Sequence, residues 1–468
     1  MEVRTSLITG DDDETAVFAL SFTESLFLIF KFCLDPRMPT SVPSRIVTCF
    51  HDLTAKDEKT SFPNRDLMRQ AIYSLIGQVW PQCAIHPSVK LPDVVIEIYE
   101  KRLGGTQWRV SHEGTYGQFL DILLPLTYLP TFKCDTWPLN VQKYVHYSSI
   151  IPVEVLGGRG SSMLVRISRV PGALYVYKGL SFSMYLESAN DFIHERNAFY
   201  HEVRTTCSMP RHPNIITPPN CVVLADTVGN PQTLFCGTLY RYMKNGSLQL
   251  LVDNCQAART RLPLKDKAKW CYQMASALSH TLFKACAYHM DFKPSNLLLN
   301  DDMDLILIDW EQCGASPSFL APEANGLWDV EEVYTSYTQT EEPARIRSIL
   351  LYKEYQGPSR QNLWTWPKWN VFPIWRKSCP RALEAAEVFS LGRSMWVLLQ
   401  QVPEDCGTSD GSNTTLAPVI WDDETSDIPQ KWKDIVSRCV ELDPNKRIVL
   451  SEVLEFWEKE SHVYLRDN

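Results

Sequence analysis

Four polar side chains between His289 and Glu311 constrain this chain more than any other feature. Asp291, Lys293 and Asn296 fall within the run Asp291-Phe292-Lys293-Pro294-Ser295-Asn296, and Asp309 closes the apolar run Leu305-Ile306-Leu307-Ile308. A carboxylate, an ammonium and an amide, followed by a second carboxylate, suit the movement of a phosphoryl group. Asp291 can accept the proton of an attacking hydroxyl, and Lys293 can neutralise charge on the transferred phosphate. Asn296 and Asp309 can hold Mg2+ ions that bridge the phosphates of a nucleotide.

The pattern H-x-D-x-K-x-x-N with a later Asp resembles the catalytic and metal-binding loops of eukaryotic protein kinases. That resemblance implies an α+β fold of two lobes, a small β-rich N-lobe and a large helical C-lobe, here with an N-terminal α+β extension. Other landmarks follow in the family's order. Gly158 and Gly160 match two glycines of the phosphate-covering loop and Val165 its valine, while Met163 stands where the third glycine would be. Thirteen residues after Val165, Lys178 ends a β-type alternation, where the family keeps the lysine that grips the nucleotide phosphates. Glu202, upstream of His212-Pro213-Asn214-Ile215, is the expected partner of that lysine in preference to Glu195. Leu239 to Leu248 resembles the hinge that binds adenine, with Tyr240 gating the pocket and Tyr242 within the hinge. Ala321-Pro322-Glu323 is the A-P-E signature, and Arg447 is its implied ion-pair partner. Glu387, at a position where the family has Asp, is expected to cap backbone N–H groups near the start of a long helix at Ala386.

Departures from the pattern bear on activity. Met290 replaces the arginine that precedes the catalytic Asp and usually binds a phosphorylated loop residue. Only Ser316 and Ser318 offer hydroxyls between Asp309 and Glu323, so the short loop is expected to work without phosphorylation. Ser316 takes the place of a hydroxyl that bonds both Asp291 and Lys293, and Lys293 itself is the serine/threonine arrangement. Asp309-Trp310-Glu311 replaces D-F-G, and Glu tolerates the backbone torsions of that glycine poorly. The expectation is a serine/threonine kinase acting on protein with ATP and Mg2+; the alternative is a pseudokinase scaffold without turnover. Ile308-Asp309-Trp310-Glu311 also resembles aminoglycoside and choline kinases, a small-molecule alternative opposed by Lys293, the A-P-E element and Arg447. The combined motifs most resemble divergent kinase-like proteins of filamentous fungi.

Composition excludes other classes. A net charge of −9 without a basic block argues against nucleic acid. Fourteen cysteines without a C-x-x-C read as reduced thiols of a cytoplasmic protein, which leaves the nucleus open as a second location. The apolar run from Val17 to Leu34 carries Glu24 and Lys31 and reads as a buried helix, not as a signal peptide or a membrane span. Residues 1–148 read as the extension, 149–241 as the N-lobe and 242–464 as the C-lobe, with an insertion at 324–386. Within the extension, apolar residues from Leu67 to Trp80 recur at helical steps, and Val94 to Tyr99 reads as a strand. The insertion holds Trp328, Trp364, Trp366, Trp369 and Trp375, and tryptophan anchors suit a docking partner there. A supporting mini-core built from the same residues is the other reading. Cys406 to Thr415 reads as a loop.

Overall fold

The computed structural model describes residues 3–9, 15–22, 27–51, 65–84, 94–101, 105–112, 115–128, 143–157, 161–168, 170–187, 189–227, 233–337, 345–358, 360, 370–404, 416, 418–422 and 427–466. They form two compact units, Met1–Arg196 with Pro219–Tyr242, and Asn197–Pro218 with Met243–Asn468. No helix among the described residues is long and apolar enough to cross a membrane.

The first unit opens with a five-stranded sheet in chain order: β1 (Val3–Thr9), β2 (Thr15–Phe22), β3 (Phe27–Cys33), then β4 (Val94–Lys101) and β5 (Gly105–His112). Only β3 and β4 are parallel. A parallel pair requires a crossover, which α1 (Val42–His51) and α2 (Arg65–Cys83) supply. Phe18, Phe30, Phe32, Ile96 and Ile98 alternate along the strands and bury against Ile46 and Val47 of α1 and Ile72, Leu75 and Val79 of α2. The helical periodicity read from Leu67 to Trp80 is therefore α2, and Val94 to Tyr99 lies in β4. The expectation of one buried helix over residues 17–34 is corrected: the run forms the β2–β3 hairpin. Aromatic and β-branched residues favour strands, and burial of Phe30 and Phe32 on either side of the half-buried Lys31 follows a period of two.

A second sheet completes this unit. Its strands and the helices beside them are α3 (Thr115–Ile122), β6 (Leu124–Pro125), β7 (Tyr144–His146), β8 (Ile150–Gly157), β9 (Ser162–Ile167), β10 (Val170–Gly179), α4 (Phe182–Glu187), the start of α5 (Ala189–Ser208), whose residues from Asn197 onward belong to the second unit, β11 (Cys221–Leu224) and β12 (Leu234–Arg241). The strand order is β7-β11-β12-β10-β9-β8, with β6 paired to β12. β6 and β7 precede the boundary expected at 148 yet belong to this sheet. Asp226 secures the junction by accepting the Ser148 N–H and hydroxyl, both at 2.8 Å. Tyr177 of β10 is buried, and its hydroxyl donates to the Leu180 and Cys236 carbonyls. A Cβ at Gly237 would lie 2.2 Å from its ring. Strand alternation then places the half-buried Lys178 on the opposite face.

The second unit is mostly helical. It contains α6 (Leu248–Ala257), α7 (Leu264–Ser279), the short hairpin β13 (Leu297–Leu299) and β14 (Leu305–Leu307), the long hairpin β15 (Trp328–Tyr337) and β16 (Arg345–Glu354), α8 (Phe372–Ser378), α9 (Pro380–Gln400), α10 (Gln430–Cys439) and α11 (Leu450–Arg466). α9 is buried almost throughout and packs in one core with α7, α10 and α11. At Gly392 a Cβ would sit 2.5 Å from Cys439, so only glycine lets α10 approach this closely. α9 starts at Pro380, earlier than the expected Ala386. Proline suits the first helical turn, and Arg381-Ala382-Leu383-Glu384-Ala385 contains no helix breaker.

The described part of the insertion packs onto the same helix. Val330, Leu350, Phe372 and Trp375 are buried with Ala382, Leu383, Ala386 and Phe389. Trp375 therefore supports a core and offers no surface anchor. Trp364, Trp366, Trp369 and the loop expected at 406–415 lie outside the described residues. The architecture as a whole is α+β, with a β-rich N-terminal region and a helical C-terminal part, consistent with a protein kinase fold.

Candidate active site

The segment leading to Asp309 is fixed along both edges. β14 pairs with β13, and its other edge meets the His212-Pro213-Asn214-Ile215 turn. There the Leu307 N–H donates to the Asn214 carbonyl at 2.9 Å, and the Asn214 side chain donates to the Leu305 carbonyl at 2.8 Å. The next residue ties to the catalytic-type loop, the Ile308 N–H donating to the Asn296 carbonyl at 3.0 Å.

Asp291 gathers three donors. Lys293 Nζ lies 2.7 Å from Oδ2, Asn296 Nδ2 donates to Oδ2 at 3.1 Å and to the Asp291 carbonyl at 2.9 Å, and the Ser316 N–H donates to Oδ1 at 2.7 Å. The Ser316 contact runs through the backbone, where the sequence led us to expect the hydroxyl. Burial is the largest single influence on Lys293 and favours its neutral form. Asp291, with Glu404 and Asp309, outweighs it and holds the ammonium above the ordinary lysine range. Glu404 was not anticipated; its carboxylate accepts the Ser295 hydroxyl at 2.9 Å.

A polar stripe on the otherwise apolar α9 positions this loop. Glu387 Oε1 accepts the N–H groups of His289 and Met290 at 2.7 and 2.9 Å. Ser394 Oγ donates to the Phe292 carbonyl at 3.1 Å, Ser390 Oγ to the Phe319 carbonyl at 2.8 Å, and Arg393 Nε to the Ser318 carbonyl at 2.9 Å. Of these only Glu387 was singled out from the sequence. The signal for the others was polar residues at steps of three and four within a strongly apolar helix.

Burial pushes the Glu387 carboxyl up to about 7, the two N–H donors opposing the shift and Asp291 adding to it. The folded chain thus keeps this proton to a higher pH than the unfolded chain, whose carboxyl titrates near 4.5. The contribution to stability is fully present below the unfolded value and is lost as pH rises through about 7. Its size is on the order of 3 kcal/mol. Glu387→Gln keeps an acceptor for both N–H groups but cannot ionise. Urea midpoints at pH 5 and pH 8 are expected to differ less in this variant than in the parent; equal differences would exclude the assignment.

Asp309 adopts φ +69°, and Gln312 φ +54°. Glu311, the residue in the glycine position of D-F-G, is not among the described residues with positive φ. The left-handed turns have moved to its flanks, so Glu311 does not carry the strain expected of it. Trp310 is fully buried, its ring 4.8 Å from that of His289 in an edge-on arrangement. His289 is held neutral by burial and donates from Nε2 to the Ile308 carbonyl at 2.8 Å. Glu202, Asp309 and Glu311 each place a carboxylate oxygen within 4.8 Å of the other two.

Lys178, Val165, Tyr240 and Tyr242 belong to the first unit. Thr238 Oγ1 donates to the Lys178 carbonyl at 3.1 Å across the β10–β12 pair. Val165 and Tyr240 are buried and Tyr242 is half-buried. Gly158 and Gly160 lie outside the described residues. Elsewhere in the second unit, Arg447 meets Glu323 through two nitrogens, at 2.5 and 3.2 Å, with both residues buried.

No family model matches the chain. Among curated proteins, it is 23% identical over 341 residues to the phosphorylase b kinase gamma catalytic chain, liver/testis isoform, of Homo sapiens, covering 70% of this chain and 69% of that protein. The Mus musculus counterpart matches at the same identity and coverage. A probable LRR receptor-like serine/threonine-protein kinase, RPK1 of Arabidopsis thaliana, is 25% identical over 221 residues, or 46% of this chain and 35% of that protein. Taken with the fold, these likenesses point to a relationship between this chain and the protein kinase superfamily.

Proposed function

We propose that the chain is a serine/threonine protein kinase that uses ATP and Mg2+. The observation that carries this reading is the convergence of Lys293, Asn296 and the Ser316 N–H on the Asp291 carboxylate. A carboxylate held by three donors is oriented before an acceptor arrives, and positioning is most of what phosphoryl transfer asks of a protein. Asp291 accepts the proton of the acceptor hydroxyl. Lys293 stabilises charge on the phosphoryl oxygens, and its raised affinity for a proton keeps it cationic.

The side chains in place fit a hard divalent cation. Glu202, Asp309 and Glu311 offer clustered carboxylate oxygens. Asn296 spends its N–H2 on Asp291, which leaves its amide oxygen for a metal. An all-oxygen donor set suits Mg2+. When bound, Mg2+ neutralises charge on the nucleotide phosphates. By the resemblance to kinases, Lys178, Val165, Tyr240 and Tyr242 of the first unit are the candidates for binding the nucleotide, together with Gly158 and Gly160. Glu311 is accommodated without a positive φ, which supports turnover over a scaffold without it.

The acceptor class is tested by offering the full chain ATP and Mg2+ with mixed proteins, amino alcohols and aminoglycosides in separate reactions. Phosphoserine and phosphothreonine in protein are the expected products. Label confined to the small acceptors would replace this reading with the small-molecule one.

A further inference from the structure

We propose that Gln312 is a latch that holds the Asp309 segment against helix α5, doing constitutively what loop phosphorylation does where an arginine precedes the catalytic carboxylate; the regulatory part rests on the kinase reading above. Both ends of the Gln312 amide are engaged in a buried setting. Its Nε2 donates to the Tyr288 carbonyl, and its Oε1 accepts the Nε2–H of His201 at 2.8 Å. His201 directly precedes Glu202, Tyr288 directly precedes His289, and Gln312 follows Asp309 by three positions. One side chain therefore ties together the three segments that carry Glu202, Asp291 and Asp309.

The backbone of Gln312 is committed as well. Its φ of +54° is one that L-residues avoid, and its carbonyl accepts from Asn370 Nδ2 at 3.2 Å. Asn370 belongs to the insertion, which also packs Phe372 against the Tyr288 ring at 5.6 Å between centroids. The insertion thus backs the latch. The chemistry demands an amide of this length: a carboxylate would set a second acceptor against the Tyr288 carbonyl, and Asn is one methylene short.

Phosphorylation has little left to do here. Met290 occupies the place of the phosphate-binding arginine. Of the two loop hydroxyls, Ser318 is buried with its carbonyl on Arg393, and Ser316 is half-buried with its backbone N–H held by Asp291.

The test uses full-length protein made in a host without protein kinases and treated with phosphatase. Gln312→Ala, Gln312→Asn, His201→Ala and the double variant are compared by kcat, KM for MgATP and hydrogen exchange over residues 309–316. Gln401→Ala is the control. Gln401 is also buried, also at positive φ (+59°), and uses both amide ends, on the Leu262 N–H and the Thr260 carbonyl. Gln312→Ala and Gln312→Asn should lower kcat about 10-fold to 100-fold and accelerate exchange over 309–316. His201→Ala should lose activity, and the double variant should be no worse than Gln312→Ala. Gln401→Ala should lose stability without either change. Unchanged exchange over 309–316 in both Gln312 variants would overturn the latch. An inert parent protein whose 309–316 exchange still rises in Gln312→Ala would sink the kinase reading and leave the latch standing. Parental activity appearing only after loop phosphorylation would refute the constitutive role.

Discussion

Asp291→Asn is expected to lower kcat for phosphoryl transfer by about 100-fold to 10,000-fold, the usual worth of a positioned general base. Asn can still accept the Ser316 N–H that meets Oδ1 at 2.7 Å. It cannot take a proton, and its own N–H2 would face Lys293 Nζ and Asn296 Nδ2, both donors. The loss should therefore fall on kcat, with the KM for nucleotide little changed, because the interaction removed matters in the transition state. Steady-state kinetics on matched preparations check this. A variant that keeps more than a tenth of the parental kcat would remove Asp291 from the chemistry.

Arg447→Met is the substitution expected to cost most in stability, about 3 to 5 kcal/mol. Arg447 binds both oxygens of Glu323, donates to the Ala385 carbonyl at 2.8 Å and the Glu441 carbonyl at 2.9 Å, and lies over the Phe389 ring. Its removal strands a buried carboxylate. The companion Glu323→Leu/Arg447→Met should recover a large part of the loss, since no charge is then left unpaired. It should not recover all, because two carbonyls still lack their donor. Urea unfolding of the four species forms a double-mutant cycle. Additive losses would mean that the pair is not coupled.

The parts legible in sequence were those fixed by short-range chemistry. The Asp291, Lys293 and Asn296 spacing and the apolar strand before Asp309 announced themselves because the groups lie close in the chain. Arg447 and Glu323, far apart, could be paired only through the resemblance to kinases. The β2–β3 hairpin was misread because an 18-residue apolar run looks helical until its alternation is weighed. The α9 stripe of Ser390, Arg393 and Ser394 went unread because its hydrogen-bond partners, the carbonyls of residues 292, 318 and 319, lie at long sequence separation. Gln312 carried no signal at all: an isolated glutamine acquires meaning only once His201 and Tyr288 are placed beside it. Glu311 looked like a defect because the sequence could not reveal that the left-handed torsions sit at Asp309 and Gln312 instead.

Phosphoryl transfer by this site is measured by incubating the phosphatase-treated full chain with γ-labelled ATP and Mg2+ or Mn2+ and quantifying label in added protein. Label on serine and threonine, accumulating in proportion to enzyme and absent with Asp291→Asn, is the predicted result. No incorporation with either metal, or equal incorporation by the Asp291→Asn protein, would contradict it.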